Sequence, residues 1–170
     1  MDDVELRRQL ERAHADCFGW AMSCRGRDRD DAEEVLQAVY LTVLDGRARY
    51  DGRSTFRTWL FGVIRRTAAA DRRKAWLRGL LLKREADGLK PQTSAPPDAE
   101  AERDSRASTL RHALAHLAPR QGEVLQLVFY HDLTVDEAAA VMGLSVGSAR
   151  THYARGKARL ALLLGDAREL

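Results

Sequence analysis

The sequence predicts an all-α protein in which a flexible linker joins two small helical domains. In both halves of the chain, apolar residues recur three and four positions apart, which is the period of an amphipathic helix. Between the halves lies a segment with three of the four prolines, no aromatic residue and no such period. A length of 170 residues suits one ordinary domain or two small ones, and an aromatic content of 6% leaves little for a large β-sandwich core.

The first domain is predicted to cover residues 1–83 and to hold three helices. The first helix is only weakly periodic. The second, at about 29–45, carries apolar residues at helical spacing from Ala32 to Leu44, and three aspartates near its start favour a helix N-terminus. Turn-forming glycines follow, and a third helix is predicted from about residue 55 to the mid-seventies.

The linker is predicted over residues 84–104 and the second domain over residues 105–170. Residues 85–104 carry six acids against two bases, so the linker is acidic as well as rich in proline. Helical spacing resumes at Leu110, and Pro119 suits the first turn of a new helix because its missing N–H would be unpaired there in any case.

The end of the second domain has the signature of a helix-turn-helix. Thr134 and Glu137 match a capping box, and Gly143 can adopt the left-handed conformation that ends a helix. Ser145 can then cap a last helix, from 146 to about 163. In a helix-turn-helix the second helix lies in the DNA major groove.

Charge is unevenly distributed, although the formal net charge is only +3. Residues 1–46 carry eleven acids against six arginines, whereas residues 47–84 carry twelve Lys or Arg against two acids. The last predicted helix has four basic residues and no acid between 145 and 159. Basic stretches in both domains, separated by acidic ones, indicate contact with a polyanion and with a second, different partner.

Other chemistries find little support in the sequence. Cys17 and Cys24 are interpreted as buried small apolar residues, and a redox or metal role is the less favoured alternative. His112 and His116 have a spacing that suits a metal, but no neighbouring Cys or acid completes a tetrahedral set, so no cofactor is predicted.

No phosphate-binding loop or hydrolase motif is present, which argues against an enzyme. The charged N-terminus and the lack of a long apolar stretch predict a cytoplasmic protein without membrane insertion.

Three blocks of the sequence resemble bacterial sigma factors. DAEEVLQAVYL (31–41) and STFRTWLFGVIRRTAAADRR (54–73) look like region 2, and LAPRQGEVLQLVFYHDLTVDEAAAVMGLSVGSARTHYARGKARL (117–160) looks like region 4. The short chain, with only a linker between these blocks, resembles the extracytoplasmic-function subgroup. The resemblance implies a subunit that binds core RNA polymerase, recognises a two-part promoter and assists its melting.

The resemblance also implies which residues bind polymerase. In the family the acidic second helix docks on the clamp coiled coil of the largest subunit, and a further contact is expected with the flap region. The expected polymerase-binding residues are Asp31, Glu34, Gln37 and Tyr40. Of these, Glu34 and Gln37 lie one turn apart on the polar side of the helix, where a basic partner can pair with them.

By the same resemblance, the loop before the third helix captures a flipped base of the minus-ten element, and cations along the helix bind the strand backbone. The expected residues are Arg49, Tyr50, Arg53, Ser54, Thr55, Phe56, Arg65, Arg66, Arg72 and Arg73. Trp59 has two interpretations, a stacking platform and a core residue, and its place on the apolar stripe favours the core.

The minus-thirty-five element is expected to be read by the last helix. The expected contacts are Ser145, Ser148, Arg150, Thr151, His152, Arg155 and Lys157. Arginine suits a bidentate contact with guanine, and threonine suits a phosphate or a thymine methyl group. Val146, Ala149, Tyr153 and Leu160 are expected to face inward.

Two further expectations concern partners and alternatives. The resemblance implies an anti-sigma partner. In the family the linker threads towards the polymerase active site, although a plain tether explains the linker of this chain equally well. The alternative function is a stand-alone helix-turn-helix regulator of the response-regulator type. That alternative needs a receiver or sensing domain, and residues 1–83 show neither alternating strands nor a phosphoacceptor pattern.

Overall fold

A computed structural model of the chain describes residues 2–26, 28–85, 110 and 112–166, and within these ranges the protein is helical without any strand. The six helices of these ranges are α1 (Asp3–Cys24), α2 (Arg29–Leu44), α3 (Phe56–Glu85), α4 (Pro119–Phe129), α5 (Val135–Met142) and α6 (Val146–Asp166). A short helical segment at 112–115 precedes α4. The predicted all-α class is confirmed.

Aspartates cap the first two helices. The Asp28 carboxylate accepts a hydrogen bond from the Asp31 N–H at 2.9 Å, and Asp2 does the same for the Glu5 N–H at 2.8 Å. A carboxylate at this position satisfies a free backbone N–H and interacts favourably with the helix dipole. These caps fix where α1 and α2 begin.

The predicted turn chemistry of the helix-turn-helix is confirmed. The Thr134 N–H donates to the Glu137 carboxylate at 2.9 Å, and the Glu137 N–H donates to the Thr134 hydroxyl at 3.2 Å, which completes the capping box of α5. Gly143 ends α5 with φ of 65°, in the left-handed region that glycine adopts without strain. The Ser145 hydroxyl accepts from the Ser148 N–H at 3.2 Å and starts α6.

The third helix is longer than the sequence predicts, since it reaches Glu85 rather than the mid-seventies. Ala68 is the last residue of α3 in the buried core, so the apolar period stops there. The residues beyond it, such as Lys74 and Leu80, are good helix formers that extend a helix without tertiary packing. The spacing of apolar residues indicates which face of a helix is buried, not how far the helix extends. It therefore does not predict this extension. Residues 84–85, predicted as linker, are helical, and positions 86–104 lie outside the described residues.

One hydrophobic core connects the two halves of the chain. Trp20 of α1, Phe61 of α3 and His131 after α4 lie close together, with His131 centroid distances of 5.5 Å to Trp20 and 5.0 Å to Phe61. Helix α3 packs against α5, and Val141 of α5 belongs to the same buried cluster as residues of α1, α2 and α3. The two predicted domains therefore contact each other, and the contact runs along α3. Their boundaries stay a prediction.

The two cysteines lie in α1. Cys17 is buried and Cys24 is half-buried, and neither forms a disulfide. Burial raises the pKa of both thiols to about 12. A protonated thiol is a poor nucleophile, so this environment agrees with their interpretation as small apolar residues.

His131 is a buried titratable group at the junction of the two halves. Its side chain is 2% exposed. Burial, with a smaller contribution from the Arg57 cation, lowers its pKa to about 4. The folded protein therefore holds this imidazole neutral.

We expect the stability of the fold to fall as the pH drops from about 6.5 to about 4. In this window the unfolded chain protonates His131 while the folded protein does not, so the unfolded state binds more protons. The free energy of unfolding should fall by up to about 1.4 kcal/mol per pH unit there, with no contribution from this group at higher pH. Denaturant titrations of the wild type and of His131→Gln measure the effect. The free energy of unfolding should change less steeply with pH in the variant than in the wild type. Equal pH dependence would contradict the assignment of this effect to His131.

Candidate DNA-facing and partner-binding surfaces

The loop between α2 and α3 ends in a cluster of three aromatic side chains. The rings of Tyr50, Phe56 and Trp59 have centroids 5.4 to 5.5 Å apart. The Tyr50 hydroxyl donates to the main-chain oxygen of Ser54, and Gly52 turns the chain with φ of 76°. Contacts between tilted and edge-on rings stabilise the loop against the start of α3.

The loop residues predicted to bind DNA differ in their exposure. The exposed ones are Arg49, Arg53 and Thr55, and the half-buried ones are Tyr50, Ser54 and Phe56. Trp59 is half-buried and packs both against the core and against the other two rings. Exposed cations beside a partly open aromatic cluster are the groups that an unstacked base and its phosphates require.

One side of α3 carries four of the cations assigned to the minus-ten element. Positions three or four apart share a helix face. This side, here called the α3 row, consists of Thr58, Gly62, Arg65, Arg66, Ala69, Arg72 and Arg73. Arg66, Arg72 and Arg73 are exposed. Arg72 donates to the main-chain oxygen of Cys24 at 3.1 Å, which holds its guanidinium beside the end of α1.

The helix-turn-helix half covers the first part of the α3 row. Arg65 makes a two-point contact with Glu123 of α4, with Nε–Oε1 at 2.5 Å and Nη2–Oε2 at 3.2 Å. The hydrogen bond to Glu123 raises the pKa of Arg65. A Cβ atom at Gly62 would lie 3.9 Å from the backbone of Val141 in α5. Arg65, which the sequence assigns to DNA, is thus engaged in an ion pair within the protein.

Arg57 is a second cation that joins the halves, a role that the sequence does not predict. Its guanidinium lies 3.0 Å from the Asp16 carboxylate, donates to the His131 main-chain oxygen at 2.6 Å and lies over the Phe61 ring at 5.3 Å. In the sequence it is one more cation of a basic segment. Its partners lie far away along the chain, so local pattern offers no signal for this role.

Helix α6 presents the basic surface that the sequence predicts. The exposed residues are Ser145, Ser148, Arg150, Thr151, Arg155 and Lys157, and His152 is half-buried. Ala149 is buried and Tyr153 is half-buried, as expected for the inward side. Val146, which was expected to face inward, is 36% exposed because it stands at the first position of the helix, next to the exposed turn.

Besides Ser145 and Ser148, three side chains of this surface have contacts within the protein. Arg150 lies 3.2 Å from the Asp136 carboxylate, and both side chains are mostly exposed. The Lys157 ammonium lies 5.4 Å from the centroid of the Tyr153 ring, and the Thr151 hydroxyl donates within the helix. An exposed ion pair contributes little to stability, so a DNA phosphate or base can replace Asp136 at low cost.

Helix α2 exposes two of the four residues expected to bind polymerase. Glu34 and Gln37 are exposed. Leu41, one turn further along the same face, is 58% exposed. An apolar side chain beside two polar ones gives this face apolar surface that a partner can bury and groups that can form hydrogen bonds with it.

The other two expected polymerase residues are tied to α1. Asp31 forms an ion pair with Arg25 at 2.5 Å. The Tyr40 hydroxyl lies 3.0 Å from His14 Nδ1, and burial raises the pKa of Tyr40. Both contacts fasten α2 to its neighbour, so these residues hold the exposed face in place.

An apolar groove of about 750 Å³ lies between α1 and the second half. Its walls include Phe18 and Met22 of α1 together with Phe129, Tyr130 and Leu160. Phe129 is 60% exposed and Tyr130 is 74% exposed. Exposed aromatic residues at the edge of an apolar groove are typical of protein interaction sites.

Two observations on the described ranges concern metal binding and membrane insertion. No group of three or more His, Cys, Asp or Glu side chains there is arranged to hold a metal ion. None of the helices in these ranges combines the length and apolar character needed to cross a membrane. The rings of His112 and His116 lie 4.3 Å apart and contact each other.

Two family models match the chain in succession. Residues 10–78 match the model described as Sigma-70 region 2, and residues 108–160 match the model described as Sigma-70, region 4. The first range contains α2, the aromatic loop and most of α3, and the second contains the helix-turn-helix.

Curated relatives agree with these matches. The chain is 34% identical over 139 residues to the RNA polymerase sigma factor CarQ of Myxococcus xanthus, which covers 79% of this chain and 75% of the relative. It is 30% identical over 144 residues to the ECF RNA polymerase sigma factor SigC of Mycobacterium tuberculosis, with coverage of 85% and 75%.

Solved structures share the fold. The sigma factor RpoE of Bartonella quintana, solved in complex with the anti-sigma factor NepR, superposes with a TM-score of 0.71 at 22% identity and covers 95% of this chain and 97% of that one. CnrH, solved in complex with the cytosolic domain of CnrY, gives a TM-score of 0.63 at 22% identity, with coverage of 97% and 90%.

Proposed function

The chain belongs to the extracytoplasmic-function family of bacterial sigma factors, and from this premise we propose how its surfaces divide the work of transcription initiation. As a sigma factor it binds core RNA polymerase, recognises a two-part promoter and assists promoter melting. The observation that carries the proposal is that regions 2 and 4 follow each other on one helical scaffold and that each exposes a basic surface. RNA synthesis itself is assigned to the polymerase, so the chain is a non-catalytic subunit that acts in the cytoplasm.

Helix α6 is proposed to read the minus-thirty-five element. Its exposed cations carry no neighbouring acid on the helix, and Ser145 and Ser148 at its N-terminus can hold phosphates. Arg150 and Arg155 are the side chains suited to a guanine edge, while Lys157 meets the backbone.

Replacing Arg150 with alanine is expected to weaken binding to a promoter fragment about fivefold and to relax preference at one base pair. Fluorescence anisotropy on fragments with single substitutions in the minus-thirty-five element measures both effects. Lys157→Ala is the matched control, because loss of a phosphate contact weakens binding equally on all fragments and lowers the salt dependence. An equal loss on all fragments for Arg150→Ala would show that Arg150 only holds phosphate.

The aromatic loop and the α3 row are proposed to bind the minus-ten element. Arg49 and Arg53 flank the partly open rings of Tyr50 and Phe56, which supports capture of an unstacked base there. The cations of the α3 row then follow the strand backbone.

Binding of the minus-ten strand by Arg65 requires the two halves to separate. Its guanidinium already makes two contacts with Glu123, and a phosphate needs the same donors. Promoter binding and the contact between the halves therefore compete for one side chain. The compact arrangement is the DNA-free state in this proposal.

The exposed face of α2 is proposed to dock on the clamp coiled coil of the largest polymerase subunit. Glu34, Gln37 and Leu41 form this face. Asp31 and Tyr40 act through their contacts with α1 rather than by touching polymerase. A contact of the second half with the flap region completes the proposed attachment.

The apolar groove between α1 and the second half is the proposed site for an anti-sigma factor. Its walls come from both halves, so a partner seated there would hold the halves together and keep Arg65 covered. The similar structure of RpoE was solved with the anti-sigma factor NepR bound, which supports a partner of this class.

Run-off transcription with purified core polymerase on genomic promoter fragments tests the proposal. Transcripts from discrete start sites should appear only when this chain is added. Glu34→Lys is a useful companion, because it should abolish transcription while leaving binding to promoter DNA unchanged. Tight DNA binding without any directed start site would favour the alternative, a stand-alone helix-turn-helix regulator.

A further inference from the structure

The part of α3 beyond the core exposes apolar side chains that the proposed function does not use. In this part, the α3 extension (residues 71–85), three large apolar side chains face solvent: Trp76 is 63% exposed, Leu77 48% and Leu80 40%. Residues 71–80 of the extension do not belong to the buried core. Several large apolar side chains exposed together on one helix are typical of a surface that contacts a partner.

Basic charge surrounds these apolar side chains. Residues 72–84 contain six Lys or Arg and no acid. Trp76 follows Arg72 and Arg73 by four and three positions, and Leu80 follows Trp76 by four, so all four residues continue the α3 row. Lys74 falls on the opposite side of the helix. An exposed aromatic ring and two cations therefore share one side.

We propose that Trp76, together with Arg72 and Arg73 at the end of the α3 row, forms a stacking site for single-stranded DNA beyond the aromatic loop. The indole stacks on an unpaired base while the two guanidinium groups bind the flanking phosphates. In a duplex both faces of each base are covered by neighbouring bases, so a stacking tryptophan selects an unpaired strand. The site rests on the proposed function in one respect, since it extends the strand path of the α3 row.

The position of the cations argues against a membrane as the partner. A helix that lies in a membrane interface places its cations on the side away from its apolar residues. Here Arg72 and Arg73 lie on the same side as Trp76. The site is also continuous with the α3 row and lies roughly 30 Å along the helix from Phe56, at about 1.5 Å per residue.

Binding of a labelled twelve-nucleotide single strand to the full chain tests this site. Trp76→Ala should weaken binding about tenfold, and Trp76→Phe, which keeps a ring, should bind within about threefold of the wild type. Lys74→Ala controls for charge loss on the opposite side and should have a smaller effect than Arg73→Ala. Binding of the matching duplex should change less than twofold in Trp76→Ala.

Several outcomes would overturn the inference. Trp76→Ala could bind the single strand with unchanged affinity, or it could lose affinity for the duplex to the same extent. The chain could instead bind phosphatidylglycerol vesicles through Trp76, in a way that the single strand does not displace. It could also form a dimer through Trp76 that excludes the strand. The oligonucleotide assay contains no polymerase. A failed run-off experiment with intact Trp76-dependent binding would therefore reject the proposed function alone, and the reverse result would reject this site alone.

Discussion

Trp20→Ala is expected to lower the free energy of unfolding by about 3–5 kcal/mol and to destabilise both halves together. Trp20 is 1% exposed, its Nε1–H donates to the Phe61 main-chain oxygen at 3.1 Å, and its ring contacts His131 of the second half. The substitution leaves a cavity and removes the additional hydrogen bond that the Phe61 carbonyl accepts, at the point where α1, α3 and the second half meet. Denaturant unfolding followed by circular dichroism measures the loss.

Two further variants serve as controls for this prediction. Trp20→Phe keeps most of the ring but not the N–H donor, so it should lose less, about 1–3 kcal/mol. Trp76→Ala removes an exposed tryptophan and should change the free energy of unfolding by less than about 0.5 kcal/mol. If Trp20→Ala shows two separate transitions with the second half unaffected, the shared core does not hold the halves together in solution.

The helix-turn-helix could be predicted residue by residue because its signals are local. Thr134 and Glu137 cap α5, and Gly143 ends it, through contacts that span only a few residues. The exposed cations of α6 follow from the same local period. The length of α3 could not be predicted in this way, because beyond Ala68 no buried stripe marks the helix.

The contacts between the halves were beyond the reach of sequence patterns. Arg57 and Arg65 stand in a basic segment that looks uniformly suited to DNA, and nothing near them indicates that His131 and Glu123 are their partners. The family resemblance assigned Arg65 to the minus-ten strand from the promoter-bound function. The structure adds a contact with Glu123 for the same guanidinium, and under the proposed function the two contacts compete.

Two variants that remove the same ion pair are expected to have opposite effects on binding of the minus-ten strand. The pair between Arg65 and Glu123 is two-pointed and mostly buried, with side-chain exposures of 30% and 20%. A contribution of about 1.4 kcal/mol to the compact state corresponds to tenfold in the ratio of compact to open molecules. Glu123→Ala should therefore bind the strand about tenfold more tightly, because Arg65 is freed. Arg65→Ala should bind more weakly, because the loss of that cation from the strand-binding surface outweighs the gain from easier opening.

Small-angle scattering and strand binding together check this pair of variants. Both should increase the radius of gyration, since both weaken the contact between the halves, yet only Glu123→Ala should gain affinity. Asp136→Ala is the matched control: it breaks the exposed pair with Arg150 and should leave the radius of gyration unchanged. Equal weakening of strand binding by Glu123→Ala and Arg65→Ala would mean that the ion pair only stabilises the fold. A gain of affinity in Glu123→Ala and a loss in Arg65→Ala would mean that Glu123 occupies the place of a DNA phosphate. This acidic residue of the second half would then set how readily the first half binds the promoter strand.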